Sequence, residues 1–275
     1  MITYINCKDE VGLIARIASE FSKRNLNITN FREHCEIQEN KYFTRIVSED
    51  YSNPDELKMK LLNILPDVFD LRVELSTKKN IVILVSKEYH CIADILVKNQ
   101  FDKLGANVMA VIGNHLSLND LCSRFDIPFF HISHENKTKE SFELELNQTL
   151  KNFEFDYLIL AKFMRILSPE FISDKKYKII NIHHSFLPAF VGASPYKQAF
   201  ERGVKLIGAT AHYVTENLDE GPIIAQSCQP VSHALSVSTM TSIGAEVEKN
   251  VLNKAMKLVF EERVFVYGNK TIVFE

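Results

Sequence analysis

Six residues, Ile81–Ser86, stand together without a charge or an amide among them. A strand wetted on one face alternates apolar with polar residues, so an unbroken run of this kind demands a parallel strand covered on both sides. The chain beyond it keeps a regular beat: a helix over about 91–104, a strand over 107–113, a helix over 118–125 and a strand over 128–132. A helix over about 138–151, a strand over 157–161, a short helix after Ser168-Pro169 and a strand from Tyr177 into Asn181 continue it. Alternating strands and helices predict an α/β fold with a doubly wound, mostly parallel sheet. Ser194-Pro195 supplies an N-cap and a first-turn proline for a helix over 195–202. Leu206–Val214 and 223–230 read as strands. A long helix then carries Met240, Ile243, Val247, Val251, Ala255 and Leu258 on its buried face, and 264–274 reads as a closing hairpin turning at Gly268-Asn269.

The first 75 residues have another rhythm. A strand over 2–6 precedes a helix over 11–24 with Leu13, Ile14, Ile17, Ala18 and Phe21 on one face, capped by Asp9, while Gly12 lets a second backbone approach. Strands over 26–37 and 41–49, a helix with Leu57, Leu61, Leu62 and Leu65 on its stripe, and a strand over 69–75 complete a ferredoxin-like βαββαβ unit with both helices on one face. Ser76–Asn80 is polar and lacks apolar anchors, so it reads as a linker. The expected division is a domain over 1–75, a linker over 76–80 and a second domain over 81–275.

Charge narrows the function. Residues 1–75 hold 10 basic and 13 acidic side chains and residues 76–275 hold 22 of each, so neither part has the cationic excess that binding a nucleic-acid backbone exploits. The five cysteines are scattered and never form a Cys-x-x-Cys pair, which argues against a disulfide framework and a thiolate zinc site. No uncharged apolar run reaches the roughly 18 residues of a membrane span, and no secretory h-region fits the N-terminus, so a cytoplasmic address is expected.

Polar residues gather where strands end. Asn181, His183 and His184 finish one apolar run, and Asp219 lies in the turn Asn217–Pro222 after another. Open α/β sheets bind ligands outside the carboxyl ends of their strands, so an amide, an imidazole and a carboxylate at such ends can surround one carbonyl carbon.

The stretch Lys178–Gln226 resembles the core of the folate-dependent formyltransferases, whose pattern is Asn-x-His, then Leu-Pro, then Leu-Asp-x-Gly-Pro. The resemblance implies catalytic roles for Asn181, His183 and Asp219. It also makes Ala161–Leu167 similar to a loop that lies against the folate, with Met164, Arg165, Ile166 and Leu167 as substrate-binding residues. Within that superfamily the chain is most similar to the hydrolytic branch, the formyltetrahydrofolate deformylases. His184 follows His183, and Val85–Cys91 has no glycine for a phosphate cradle, so a phosphorylated amine finds no seat. The N-terminal unit, with Asp9–Leu13, resembles an ACT domain.

The implied reaction is hydrolysis of 10-formyltetrahydrofolate to tetrahydrofolate and formate, which would supply purine biosynthesis and balance the one-carbon folate pools. No separate cofactor or metal is implied, since the folate is the substrate. Asn181 and a cationic His183 suit an oxyanion, a carboxylate beside an imidazole favours its charged form, and Asp219 suits the water's proton. The pair His183-His184 is expected to point to opposite faces of its strand. His184 stays open between a packed histidine and a part in excluding amines or holding water. His90 is placed at the border of the pocket, His212 is read as a buried scaffold histidine, and Ser185 as a turn residue. ACT-like units pair edge to edge and bind amino acids, which implies a homo-oligomer, a dimer or tetramer, with Asp9 and Gly12 near an amino-acid effector. The rival readings are a transferase acting on an unphosphorylated amine and a silent sensor; the retained trio speaks against the sensor.

Overall fold

The computed structural model describes residues 1–75, 77–188 and 195–275, and for Pro195 the backbone alone. Ser76 of the expected linker and the expected cap Ser194 lie outside the described residues. By contacts the chain forms two units: Met1–Thr77 with Glu262–Tyr267 and Ile272–Glu275, and Lys78–Glu261 with Gly268–Thr271.

The first unit is built on β1 (Ile2–Lys8), β2 (Ile28–Glu36), β3 (Lys41–Ser48) and β4 (Val68–Glu74), with helices α1 (Leu13–Ser22) and α2 (Pro54–Ile64) between them. The strands lie in the order β2-β3-β1-β4, and every pairing is antiparallel. Leu13, Ile17 and Phe21 of α1 and Leu57 and Leu61 of α2 pack on Ile5, Cys7, Ile46 and Leu71 of the sheet. Each such fully buried side chain stabilises the fold by about 1.5–3 kcal/mol. Two expected stripe residues, Ile14 and Leu62, turn out exposed. The expected cap also differs. Gly12, and not Asp9, occupies the N-cap position of α1, with φ 86°, a left-handed conformation open to glycine. The sheet's other face carries Tyr4 and Phe43, and the C-terminal residues Phe265 and Phe274 cover them, with the Tyr4 and Phe265 rings stacked at 3.4 Å. The tail expected to close the second domain thus contributes to the core of the first unit.

Among the described residues the second unit holds a seven-stranded sheet in the order β11-β10-β9-β8-β5-β6-β7: β5 (Lys79–Val85), β6 (Ala106–Gly113), β7 (Phe129–His131), β8 (Tyr157–Ala161), β9 (Ile179–His183), β10 (Leu206–Tyr213) and β11 (Ile223–Pro230). All neighbours pair in parallel except β10, which runs antiparallel to both β9 and β11. Lys79 and Asn80, expected in the linker, already pair with Ala106 and Asn107. The helices are α3 (His90–Gln100), α4 (Asn119–Ser123), α5 (Lys139–Leu150), α6 (Pro169–Ser173), α7 (Pro195–Arg202) and α8 (Val237–Phe260).

Local chemistry sets the helix starts. Thr138, Ser168 and Ser236 each accept a first-turn N–H at the head of α5, α6 and α8, satisfying a donor that no carbonyl within the helix can reach. Phe142, Leu146 and Leu150 of α5 and Phe171 and Ile172 of α6 pack on Val82, Leu84, Leu158 and Leu160, one side of the sheet. The alternate residues Ile81, Ile83, Val85 and Ile159 are equally buried, so the sheet is covered on both sides, as its unbroken apolar run requires. The buried face of α8 includes Gly244 and Glu248 beside Val247, Val251 and Ala255.

Candidate active site

Asn181 and His183 stand two residues apart on β9 and so share one face of it. The antiparallel register sets His212 of β10 directly across from Asn181 and Thr210 across from His183. Cross-strand partners are the closest side-chain neighbours a sheet provides, so this pairing, hidden in the sequence, brings amide and second histidine together. The next turn is held by Thr210, whose hydroxyl donates to the Ser185 carbonyl (2.9 Å) and accepts from the Leu187 N–H (3.1 Å). Ser185 therefore makes its turn bond through the backbone, while its buried Oγ has no partner among the described residues.

Asp219 arrives from the turn between β10 and β11. Its φ is 57°, a left-handed conformation that a short polar residue tolerates. Two residues on, a Cβ at Gly221 would fall 1.7 Å from the Tyr213 carbonyl oxygen, so the turn closes only around glycine. The Tyr213 N–H donates to the Pro222 carbonyl at 2.9 Å, which seals the turn.

The carboxylate lands between two imidazoles. Asp219 Oδ2 lies 3.2 Å from His183 Nδ1, and Oδ1 lies 3.6 Å from His212 Nε2. His212 Nδ1 is 2.9 Å from the Tyr213 carbonyl, which can only accept, so the proton there belongs to Nδ1. In neutral His212, Nε2 then accepts from the Asn181 amide, 3.3 Å away, which leaves that amide a second N–H to spend. The other nitrogen of His183, Nε2, is buried without a partner among the described residues. Burial by itself would raise the Asp219 pKa, but the hydrogen bond from His183 outweighs it and the carboxyl is held well below its usual range. The site keeps a fixed anion.

His184 contradicts its expectation. Strand β9 stops at His183, the chain bends, and the His184 ring stacks on His183 at 5.0 Å between centroids with 28° between planes. Both rings line the same cleft. Burial, then the positive charge of Lys162, then His183, push the His184 pKa down to about 4, so it is neutral at neutral pH.

The cleft encloses about 1160 Å³ including its open mouth, room for a multi-ring ligand. Asn181, His183, His184, His212 and Asp219 form its floor; Phe163–Leu167 and Val214–Leu218 form its walls. The 163–167 loop leaves the end of β8 and is tied down at both ends. The Met164 N–H donates to Ser86 Oγ at 3.0 Å, and the Ser168 N–H donates to Glu143 Oε1 at 2.8 Å. Met164 and Ile166 are each 60% exposed, large apolar side chains left open beside polar groups. Arg165 rests its guanidinium 5.7 Å from the centre of the Phe142 ring. Leu167, by contrast, is buried in the core beneath the loop.

Residues 1–66 match the ACT domain family and residues 79–256 match the formyl transferase family. The formyltetrahydrofolate deformylase of Escherichia coli K12 is 47% identical over 267 residues, covering 97% of this chain and 95% of that protein. The deformylase of Haemophilus influenzae is 44% identical over 272 residues, covering 99% and 98%. A crystal structure of the formyltetrahydrofolate deformylase from Pseudomonas syringae pv. tomato superposes with a TM-score of 0.95 at 38% identity, covering 100% of this chain and 94% of that one. The chain belongs to the formyltetrahydrofolate deformylases.

In this deformylase-family chain the structure brings together Asn181, His183, His184 and Asp219, with the loop Met164, Arg165, Ile166 and Leu167 beside them. His90 is not on the cleft wall; its Nε2 is 2.8 Å from Glu248 Oε2. Asp9 and Gly12 lie in the first unit, Asp9 half-buried with its N–H donating to the Asn40 carbonyl (2.9 Å), and Gly12 exposed. His212, read as scaffold, is instead the third corner of the polar cluster; only strand register could have revealed it. Glu248 and Tyr196 were also missed, and Lys162 entered only as a member of the loop Ala161–Leu167. The one sequence signal for Glu248 is an acid set within the apolar stripe of α8. His90, Cys91 and Glu248 place ligand-type atoms within 4.8 Å of one another. The Lys162 ammonium already occupies that carboxylate at 3.1 Å, and burial pushes the Cys91 thiol far up, so these residues do not fit a metal ion.

Proposed function

We propose that the chain hydrolyses 10-formyltetrahydrofolate to tetrahydrofolate and formate, with water as the nucleophile. The observation that carries the reading is the carboxylate of Asp219 fixed beside His183 and His212, with an Asn181 N–H and His183 Nε2 free to face one carbon. Water attacks the formyl carbon and gives its proton to Asp219. The oxygen of the formyl group becomes an oxyanion, which accepts from the Asn181 amide and from His183 Nε2. Donors aimed at a developing charge inside a buried site each contribute roughly 10²–10³ in rate. Collapse breaks the bond to the folate N10, which takes up the proton held by Asp219, and formic acid leaves and ionises to formate, releasing its proton to solvent. Met164, Ile166 and the arm of Arg165 form the wall for the pterin ring, and the Arg165 guanidinium meets folate carbonyl or carboxylate oxygens.

The test is incubation with 10-formyltetrahydrofolate in amine-free buffer. One formate per tetrahydrofolate formed is the expected result; no formate until an amine is added overturns the reading.

The first unit serves regulation and assembly in this proposal. An amino-acid effector binds near Asp9 and Gly12, and copies of the chain pair through the edge strand β2, which among the described residues has a neighbour on one side only. Light scattering with and without single amino acids tests both points: a monomer indifferent to all of them refutes them. A cytoplasmic setting accords with the reaction.

A further inference from the structure

Behind the cleft wall lies a second buried polar cluster that the hydrolysis does not use. Glu248, on the inner face of α8, is only 1% exposed. Its Oε2 lies 2.8 Å from His90 Nε2 and 3.1 Å from Lys162 Nζ, and its Oε1 accepts from the Tyr196 hydroxyl at 2.6 Å. Four elements therefore meet at one carboxylate: the end of β8, the starts of α3 and α7, and the middle of α8. Burial alone would raise the Glu248 pKa, but the His90 bond, the Lys162 charge and the Tyr196 bond bring it down to about 2.

Two backbone features show that this cluster is built rather than incidental. Gly244 lies one turn before Glu248, and a Cβ there would fall 2.1 Å from the Tyr196 ring, so glycine is what lets Tyr196 reach the carboxylate. Lys162 sits at φ 60°, a conformation that glycine adopts freely and a long side chain rarely does. The chain nevertheless keeps a lysine there. That lysine is one of the cleft-lining residues, with Asn181, His183 and His184.

We propose that Lys162, held on Glu248 by His90 and Tyr196, is a specificity residue: it occupies the seat that an external amine needs, so that water alone reaches the formyl carbon. The inference rests on the hydrolytic reading of the site. An amine enters largely as its ammonium ion, and an ammonium leaving water requires a carboxylate partner. Glu248 is the buried carboxylate at that wall, and its bonding is completed by the protein's own ammonium. Lys162 cannot itself attack, because an ammonium has no lone pair. If the seat were vacant, a bound ammonium would lose a proton to Asp219 and attack the formyl carbon. The bond to N10 would break with a proton passing to N10, giving an N-formyl amine, tetrahydrofolate and one proton released to solvent.

The experiment gives the full-length protein 10-formyltetrahydrofolate and ethanolamine and measures formate against N-formylethanolamine. Wild type is expected to yield formate. Lys162→Met is expected to raise the N-formyl share at least tenfold, and Lys162→Gly, which suits the left-handed backbone, serves the same purpose should the first variant fail to fold. Lys162→Arg keeps the cation and is expected to remain hydrolytic. The double variant Lys162→Met/Glu248→Gln has the same space without the carboxylate, and its N-formyl share is expected to fall back to within threefold of wild type. An unchanged share in the folded single variants overturns the inference, as does a double variant that formylates as well as Lys162→Met, since space rather than charge would then decide. A role confined to stability would shift Tm and overall rate but leave the product ratio alone. Wild type that releases no formate overturns the hydrolytic reading, and this one with it; formate with an unmoved ratio overturns this one by itself.

Discussion

Replacing Asp219 with asparagine removes one charge from the site while keeping its shape. The substitution is unusually clean, because the left-handed backbone at residue 219 (φ 57°) is one that asparagine accepts as readily as aspartate. What disappears is an anion 3.2 Å from His183 Nδ1 and 3.6 Å from His212 Nε2. At an effective dielectric of about 20, a full charge pair at the shorter distance is worth about 5 kcal/mol before desolvation. A hundredfold rate loss corresponds to about 2.7 kcal/mol, roughly half of that gross value, and general-base assistance alone contributes about 10²–10⁴. Asp219→Asn is therefore expected to lower kcat at least a hundredfold. KM should stay within about threefold, since the folate ring rests on the 163–167 loop in our reading. Steady-state formate release, with circular dichroism to establish folding, measures both. A folded variant keeping more than a tenth of the wild-type kcat would refute the role given to this carboxylate.

The same geometry carries three further outcomes. His212→Phe keeps a ring but removes the partner of the Asn181 amide at 3.3 Å; kcat should fall about ten- to a hundredfold, and an unchanged kcat would return His212 to the scaffold. Gly221→Ala drives a Cβ to 1.7 Å from the Tyr213 carbonyl, where only backbone movement gives relief; a loss of about 1–3 kcal/mol in urea unfolding is expected, with activity down at least about tenfold. His184, with its pKa lowered from 6.5 to about 4, binds its proton more readily unfolded than folded. The stability it contributes is thus fully present above about pH 6.5 and lost as the pH falls through about 4, at most about 3 kcal/mol. Comparing unfolding curves of wild type and His184→Asn at pH 7 and pH 4.5 isolates this part, and equal pH slopes would sink it.

The elements, and which of them face both ways into a core, are legible in the residue pattern. Runs such as Ile81–Val85 and stripes such as Leu13, Ile17 and Phe21 carry their own period, and period is a local property. Asn181, His183 and Asp219 stood out as polar residues at or after the ends of apolar runs, within a motif that resembles a known family's. Register and reversal did not. That His212 faces Asn181 follows from β10 lying antiparallel to β9, a pairing between residues 31 apart in the chain. That His184 folds back onto His183 follows from where β9 stops. The Glu248 cluster joins residues up to 158 positions apart, and the cover of Tyr4 and Phe43 comes from the chain's last residues. Hydrophobic patterning specifies what must be buried; only the packed structure decides which polar groups, stripped of water, must find one another.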